Sequence, residues 1–453
     1  MDRSREFDHM ISKQLHENIK ELTKLCAQPS VSATGQGLKE CSEIVHSMLS
    51  RRGFNVTMLP TAGAPVVFAE RKGKSEKTLL FYNHYDVQPP EPLELWESPP
   101  FEPEVRNGKF FARGATDDKG ELMTRLAAID ALIDLDGELP CNVKFCVEGE
   151  EESSSEHIRD CVLQNVDKFK ADACIWEFGE VLEDDQPMQY LGVRGIAYLE
   201  LSVESASQDV HSGIGGSIFP NAAWRLIWAL NRLKTEDERI AIPGFYDKVK
   251  PPSQRDIELM AKLPDPGPDY KSRFGIKQFL KGLRGGVELR LAEVFQPTCT
   301  ICGLTSGYQG PGAKTVQPHL ASAKIDFRLV PEQVAAEIPG LVRHHLDSQG
   351  FQDVKITDLG FEDPSRTDPD DPFVQLVVDT AGQVYQKPMV IVPLAGGSGP
   401  NEVFQKNLGL PIVTVGCGYP GANSHSPNEN LDLGLYEKCV KHLVRIMLKF
   451  GSG

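Results

Sequence analysis

Positive charge is in short supply. The chain carries 48 lysines and arginines against 64 aspartates and glutamates, a formal net charge of −16. Nucleic acid and anionic membrane both select basic faces, so neither is expected as a partner. An apolar leader is also missing: residues 1–20 are rich in charge and hold no hydrophobic stretch of the kind a secretory signal needs. No apolar run approaches the roughly 18 residues of a membrane-spanning helix. Paired cysteines are nearly absent. The 10 cysteines stand singly apart from Cys299 and Cys302, and without a second pair nearby a structural zinc or redox role for those two is the lesser reading. Scattered thiols fit the core of a protein in a reducing compartment, so a cytoplasmic location is expected. Internal repeats and low-complexity tracts are absent as well.

What is present is a globular composition, 40% hydrophobic over 453 residues, enough for about two to four domains with a sizeable core. Apolar residues at helical spacing predict helices over 7–26 and 38–49, the second closed by Gly53. Short strands are predicted at 66–70, 78–83, 142–147 and 173–176, with helices starting just after Asp118 and near Ile158. This alternation indicates an α/β fold with a mostly parallel central sheet flanked by helices. After Tyr190 the pattern changes to strand 195–204, helix 221–233, strands 300–303 and 321–330, helix 331–346 and strand 354–359. That succession is ferredoxin-like α+β, with a Pro- and charge-rich stretch at 235–297 inside it. From Pro372 the α/β pattern returns. The expected organisation is a domain formed by residues 1–191 and 368–453, interrupted by an insert at 192–367.

Chemically costly residues sit where the strands finish, the place where open α/β sheets put their sites. The run 78–83 ends in His84-Tyr85-Asp86, the next strand runs into Glu150-Glu151-Glu152, and the one after ends at Glu177. Asp117 and Asp118 add an adjacent pair of carboxylates. Such acids resist burial unless a cation sits among them. Each residue has an ordinary reading too. His84 and Asp86 fit a hydrogen-bonded core pair, Glu150–Glu152 a solvated acidic face, Glu177 a surface acid, His425 a loop histidine and Arg328 a surface strand residue. Together they supply two imidazoles and several carboxylates without a thiolate, the inventory of a two-metal site.

The runs His84-Tyr85-Asp86-Val87-Gln88-Pro89, 96–101, 113–120, 148–153, His211-Ser212-Gly213, 312–315, 328–331, 396–398 and His425-Ser426 span nearly the whole chain. In content and order they resemble the aminoacylase/carnosinase/glutamate-carboxypeptidase family of co-catalytic zinc metallopeptidases, with the carnosinase-type dipeptidases nearest. The resemblance implies two divalent metal ions, zinc first, with manganese or cobalt as alternatives. It implies that His84, Asp117 and Glu177 hold one ion and that Asp117, Glu152 and His425 hold the other. Asp86 would orient His84, and the Asp117–Asp118 peptide bond would be cis. Glu151 would be the general base, taking a proton from a water that bridges the metals and returning it to the leaving amine. His211 would reach the active site of the partner subunit in a homodimer and help bind the oxyanion. Arg328, with Thr315 and Ser398, would hold the substrate's free carboxylate, and the insert would be a lid and dimerisation domain. Two departures stand out. Carnosinase-type dipeptidases usually carry Asp where this chain has Glu177; Glu is commoner among the family's carboxypeptidases and deacylases. Glu150 is an extra acid, expected on the solvated surface. The expected activity is hydrolysis of the amide bond of a short peptide, of dipeptidase or carboxypeptidase type. The alternative is deacylation of an N-acyl amino acid.

Overall fold

The computed structural model describes residues 3–182 and 184–453. The chain divides into two compact units: Met1–Gly192 with Arg366–Pro393 and Gly399–Gly453, and Val193–Ser365 with Leu394–Ser398. The short excursion Leu394–Ser398 was not foreseen; it attaches Ser398 to the second unit.

The first unit is built on a six-stranded sheet in the order Asn55–Leu59, Val66–Arg71, Cys141–Glu148, Ser75–His84, Ala173–Trp176, Ile412–Thr414. Pairings among the last four strands are parallel, and the first two extend the edge antiparallel. The sheet is therefore mixed, with a parallel centre. Its strand Ser75–His84 is buried from Leu79 to His84, as a parallel strand covered on both faces must be, and its near-continuous apolar run made it legible. The helix Lys119–Asp136 begins directly after the Asp pair and is buried along most of its length. The helices Arg3–Ala27 and Leu433–Ser452 pack on it. A small sheet of Glu104–Arg106, Lys109–Phe111 and Asn430–Asp432 escaped the sequence reading. Three-residue strands carry too little alternation to register, yet this one joins the chain just after His425 to the chain just before Asp117.

The second unit has a four-stranded antiparallel sheet in the order Thr300–Ser306, Leu320–Leu329, Gly195–Glu204, Lys355–Glu362. Counted along the chain this is 2-3-1-4, the ferredoxin-like arrangement. Gly195–Glu204 alternates buried and half-buried residues as a strand with one covered face should. The helices Ala222–Leu230 and Ile338–Ser348 share one apolar cluster with that face through Leu226, Leu199, Phe327 and Val342. The helix expected from 331 starts later, at Ile338 after a 3-10 turn at Ala335–Glu337, with Pro339 in its first turn. The stretch 235–297 is helical in part (Gln254–Met260, Gly267–Phe274, Gly286–Phe295). Cys299 is buried and Cys302 exposed.

Candidate active site

His84 closes the strand Ser75–His84 and is fully buried. Its Nε2 lies 3.0 Å from Asp117 Oδ1. His425 comes from a distant loop and places Nε2 2.8 Å from Asp117 Oδ2 and 3.2 Å from Glu152 Oε2. Each oxygen of Asp117 thus faces a different imidazole, as a carboxylate bridging two ions would. Ligand atoms on one tetrahedral zinc lie about 3.3 Å apart, close to these spacings. Glu152 Oε1 and Glu177 Oε2 are buried without a hydrogen-bond partner among the described residues. No lysine or arginine there is ion-paired with Asp117, Glu151, Glu152 or Glu177. Buried carboxylates with orphaned oxygens need a cation, and the N/O donor set fits divalent metal. His84, Asp117 and Glu152 already bring one donor atom each within 4.8 Å of one another. Glu151, Asp117, Glu177 and His425 line a cavity of about 200 Å³.

The electrostatics follow from that crowding. Burial drives the Glu151 carboxyl well above the usual carboxylate range; His84 opposes the shift and Asp117 and Glu152 reinforce it. Burial, then the charge of Glu151, raises Glu177 in the same way. Asp117 goes the other way: hydrogen bonds with His425 and His84 outweigh burial and hold it low. Its bonds to Asp117 and Glu152 raise His425 to about 10. Burial opposes a charge on His84, but hydrogen bonds to Asp117 and Asp86 raise it well above the ordinary histidine value.

Buried polar groups hold these side chains in place. Nδ1 of His84 lies 3.0 Å from the Asp86 carbonyl and 3.3 Å from its carboxylate, which makes Nδ1 the donor and aims Nε2 at Asp117. The same Asp86 carboxylate accepts from the backbone N–H of Glu151 and of Glu152, at 3.2 and 3.0 Å. The Asp117–Asp118 bond is cis, and Asp118 Oδ2 accepts from His84 N and Asn83 Nδ2 at 2.9 and 2.8 Å. Gln88 Nε2 donates to Glu152 Oε2 at 2.8 Å. Glu150 is not the solvated acid expected: it is largely buried against His157 Nδ1 at 2.8 Å, so it secures the loop behind Glu151. Arg125 and Glu429 were both missed. Arg125 is fully buried and donates to the carbonyls of Trp176, Glu177 and Val415. Glu429 is likewise buried. In sequence each reads as an ordinary helix or loop charge.

The remaining candidates lie in the second unit and form two pairs. His211 caps a short helical turn, its Nδ1 accepting from Gly213 N at 3.0 Å, and its Nε2 is 3.4 Å from Thr315 Oγ1. Arg328 donates from Nη1 to Ser398 Oγ at 2.7 Å, and its Nε reaches Asp326 at 3.4 Å. Both are open enough to meet a ligand.

Comparison with known proteins meets this geometry. The chain is 30% identical to the human Beta-Ala-His dipeptidase over 409 residues, which cover 86% of this chain and 78% of that protein. It is 27% identical to the Cys-Gly metallodipeptidase dug1 of Schizosaccharomyces pombe across 95% of each chain. The crystal structure of an M20 family metallo-carboxypeptidase, Sso-CP2 from Sulfolobus solfataricus, superposes with a TM-score of 0.92 at 35% identity, covering 96% of this chain and all of that one. The family model "Peptidase family M20/M25/M40" matches residues 80–449, a span that takes in every side chain of the constellation from His84 to His425. The chain belongs to this family of metal-dependent peptide hydrolases.

Proposed function

We infer that this chain removes the C-terminal residue of a short peptide by hydrolysis, with Glu151 as general base and with two divalent ions, zinc first, held by His84, Asp117, Glu152, Glu177 and His425. The observation that carries the reading is the placement of Asp117, one oxygen against each histidine, with Glu151 beside it in the cavity. Bound metal would polarise the amide carbonyl and bring a water's pKa toward neutrality. The chain's own residues do the rest. Glu151 is half-buried and biased toward its protonated form, so once it takes a proton it is suited to pass it to the leaving amine. Asp86 holds both His84 and the backbone of Glu151 and Glu152, so base and ligands keep one register. Arg328, with Ser398 hydrogen-bonded to its guanidinium, would take the substrate's free carboxylate in a fork. His211, with Thr315 beside it, would donate to the oxyanion from the partner subunit of a homodimer. Ten unpaired thiols, nine of them buried, suit a reducing compartment.

Between peptide classes, Glu177 and the metallo-carboxypeptidase relative favour carboxypeptidase-type trimming, which includes dipeptides; N-acyl amino acids share the free carboxylate and are the second reading. Hydrolysis of dipeptides, tripeptides and N-acyl amino acids, assayed before and after chelation and zinc restoration, tests both. Metal-restored cleavage of peptides with a free C-terminus is expected. Activity confined to N-acyl amino acids would replace the first reading with the second, and activity indifferent to chelation would remove both.

A further inference from the structure

Glu429 lies four residues beyond His425 and has no exposed surface. Its carboxylate accepts four hydrogen bonds, all from the segment that carries Asp117. Oε2 takes Arg113 Nη1 at 2.7 Å and Gly114 N at 2.9 Å; Oε1 takes Thr116 N at 2.9 Å and Asp117 N at 3.0 Å. The same seam is reinforced by Thr116 Oγ1 donating to the Asn430 carbonyl at 2.6 Å and Ala112 N donating to the Glu429 carbonyl at 3.2 Å. Gly114 sits at φ 84° with Val87 only 2.8 Å from where a Cβ would stand, so this turn of the segment has no room for a side chain. A buried charge that collects three backbone donors from one short segment costs desolvation, and an apolar residue would leave those N–H groups unpaired. The consequence of using a carboxylate is geometric: the loop of one histidine ligand and the backbone of the bridging aspartate are tied to a single group.

We propose that Glu429 is a positioning residue of the metal centre, its carboxylate locking the His425 loop to the Asp117 segment so that both oxygens of Asp117 stay aimed at their two imidazoles. The alternative is that Glu429 and Arg113 are only a buried ion pair that stabilises the fold. This inference rests on the metal-site reading above, and the two fail differently.

The test is zinc binding by the purified full-length protein, titrated against a chromophoric chelator, with metal content by elemental analysis and thermal unfolding of the metal-free protein alongside. Asp117→Ala checks the underlying reading; if it still binds zinc like the parent, that reading fails and Glu429 is not at issue. Glu429→Gln keeps the shape but turns an NH₂ toward two of the four donors. It is expected to lose one zinc or bind at least ten-fold more weakly. Glu429→Asp keeps the charge and is one methylene short; it is expected to weaken zinc binding in the same direction, and it decides the matter if the Gln variant does not fold. Arg113→Lys keeps a cation beside Glu429 but gives up the contact to Pro89 O. It is expected to lower the unfolding temperature while binding zinc within about three-fold of the parent. Parent-like zinc affinity in the folded Glu429 variants, or equal zinc loss in Arg113→Lys, would overturn the proposal in favour of a plain ion pair.

Discussion

Hydrogen bonds to Asp117 favour the charged form of both His84 and His425. His84 is held well above its ordinary value and His425 at about 10, so the metal-free site favours charged imidazoles near neutral pH. A ligating imidazole must be neutral. Zinc binding is therefore expected to release about two protons or more near neutral pH, measurable by calorimetry in buffers of different ionisation enthalpy, and to tighten as pH rises toward 10; proton-neutral binding would count against the ligand set. Glu151→Gln should keep the metals and lose about 10²–10⁴-fold in kcat, the usual loss for a general base, with elemental analysis as the control. At this scale the sequence was informative where a residue type is costly. Histidines and acids at the ends of apolar strands announce a site because nothing else justifies them there. Glu429 and Arg125 gave no such signal. Most of their partners are backbone groups, from 4 to 315 positions away along the chain, and backbone donors and acceptors have no letter in a sequence.

Elements were legible in proportion to their burial pattern. The run ending at His84 and the alternating strand Gly195–Glu204 stood out. The strand Asn55–Leu59 and the three-residue strands around Phe111 and Asn430 did not, being too short or too half-buried to show a period. One contact between elements sets a pH response. His442 on the helix Leu433–Ser452 is fully buried against the helix Pro372–Tyr385, its Nε2 3.0 Å from the Val377 carbonyl and its Nδ1 without a partner among the described residues. Burial lowers its pKa to about 4. The unfolded chain takes up a proton near 6.5 and the folded one does not, so the contribution is intact above pH 6.5, falls as pH drops toward 4, and is flat below. That amounts to about 2 kcal/mol at pH 5. His442→Gln keeps a donor for the Val377 carbonyl but does not titrate. The wild type is expected to lose more unfolding temperature between pH 7 and pH 5 than this variant does; identical losses would show that His442 is not the group responsible.

At the scale of the whole molecule, the second unit presents a surface that suits a second copy of the chain. Trp224 and Trp228, exposed at 57% and 53%, stack on the outer face of the helix Ala222–Leu230. Ile301 and Leu304 are exposed on the edge strand Thr300–Ser306. Isolated exposed apolar residues need no explanation, but a unit that exposes both a stacked tryptophan pair and an apolar strand edge does. A two-fold dimer would cover it with the same surface of its mate. Light scattering should then give twice the chain mass, and Trp228→Glu should shift it toward monomer. The roles assigned to Glu151 and His211 make a sharper demand. If each site takes its base from one subunit and its oxyanion donor from the other, Glu151→Gln and His211→Ala are each inactive alone yet complement when mixed and reassembled. The site in the mixed dimer that keeps its own Glu151 receives an intact His211 from its mate; the other site lacks both. Half the dimers are mixed and half their sites work, so about a quarter of wild-type activity should return. A His211 that acts within its own subunit returns none, because every site then lacks one group or the other.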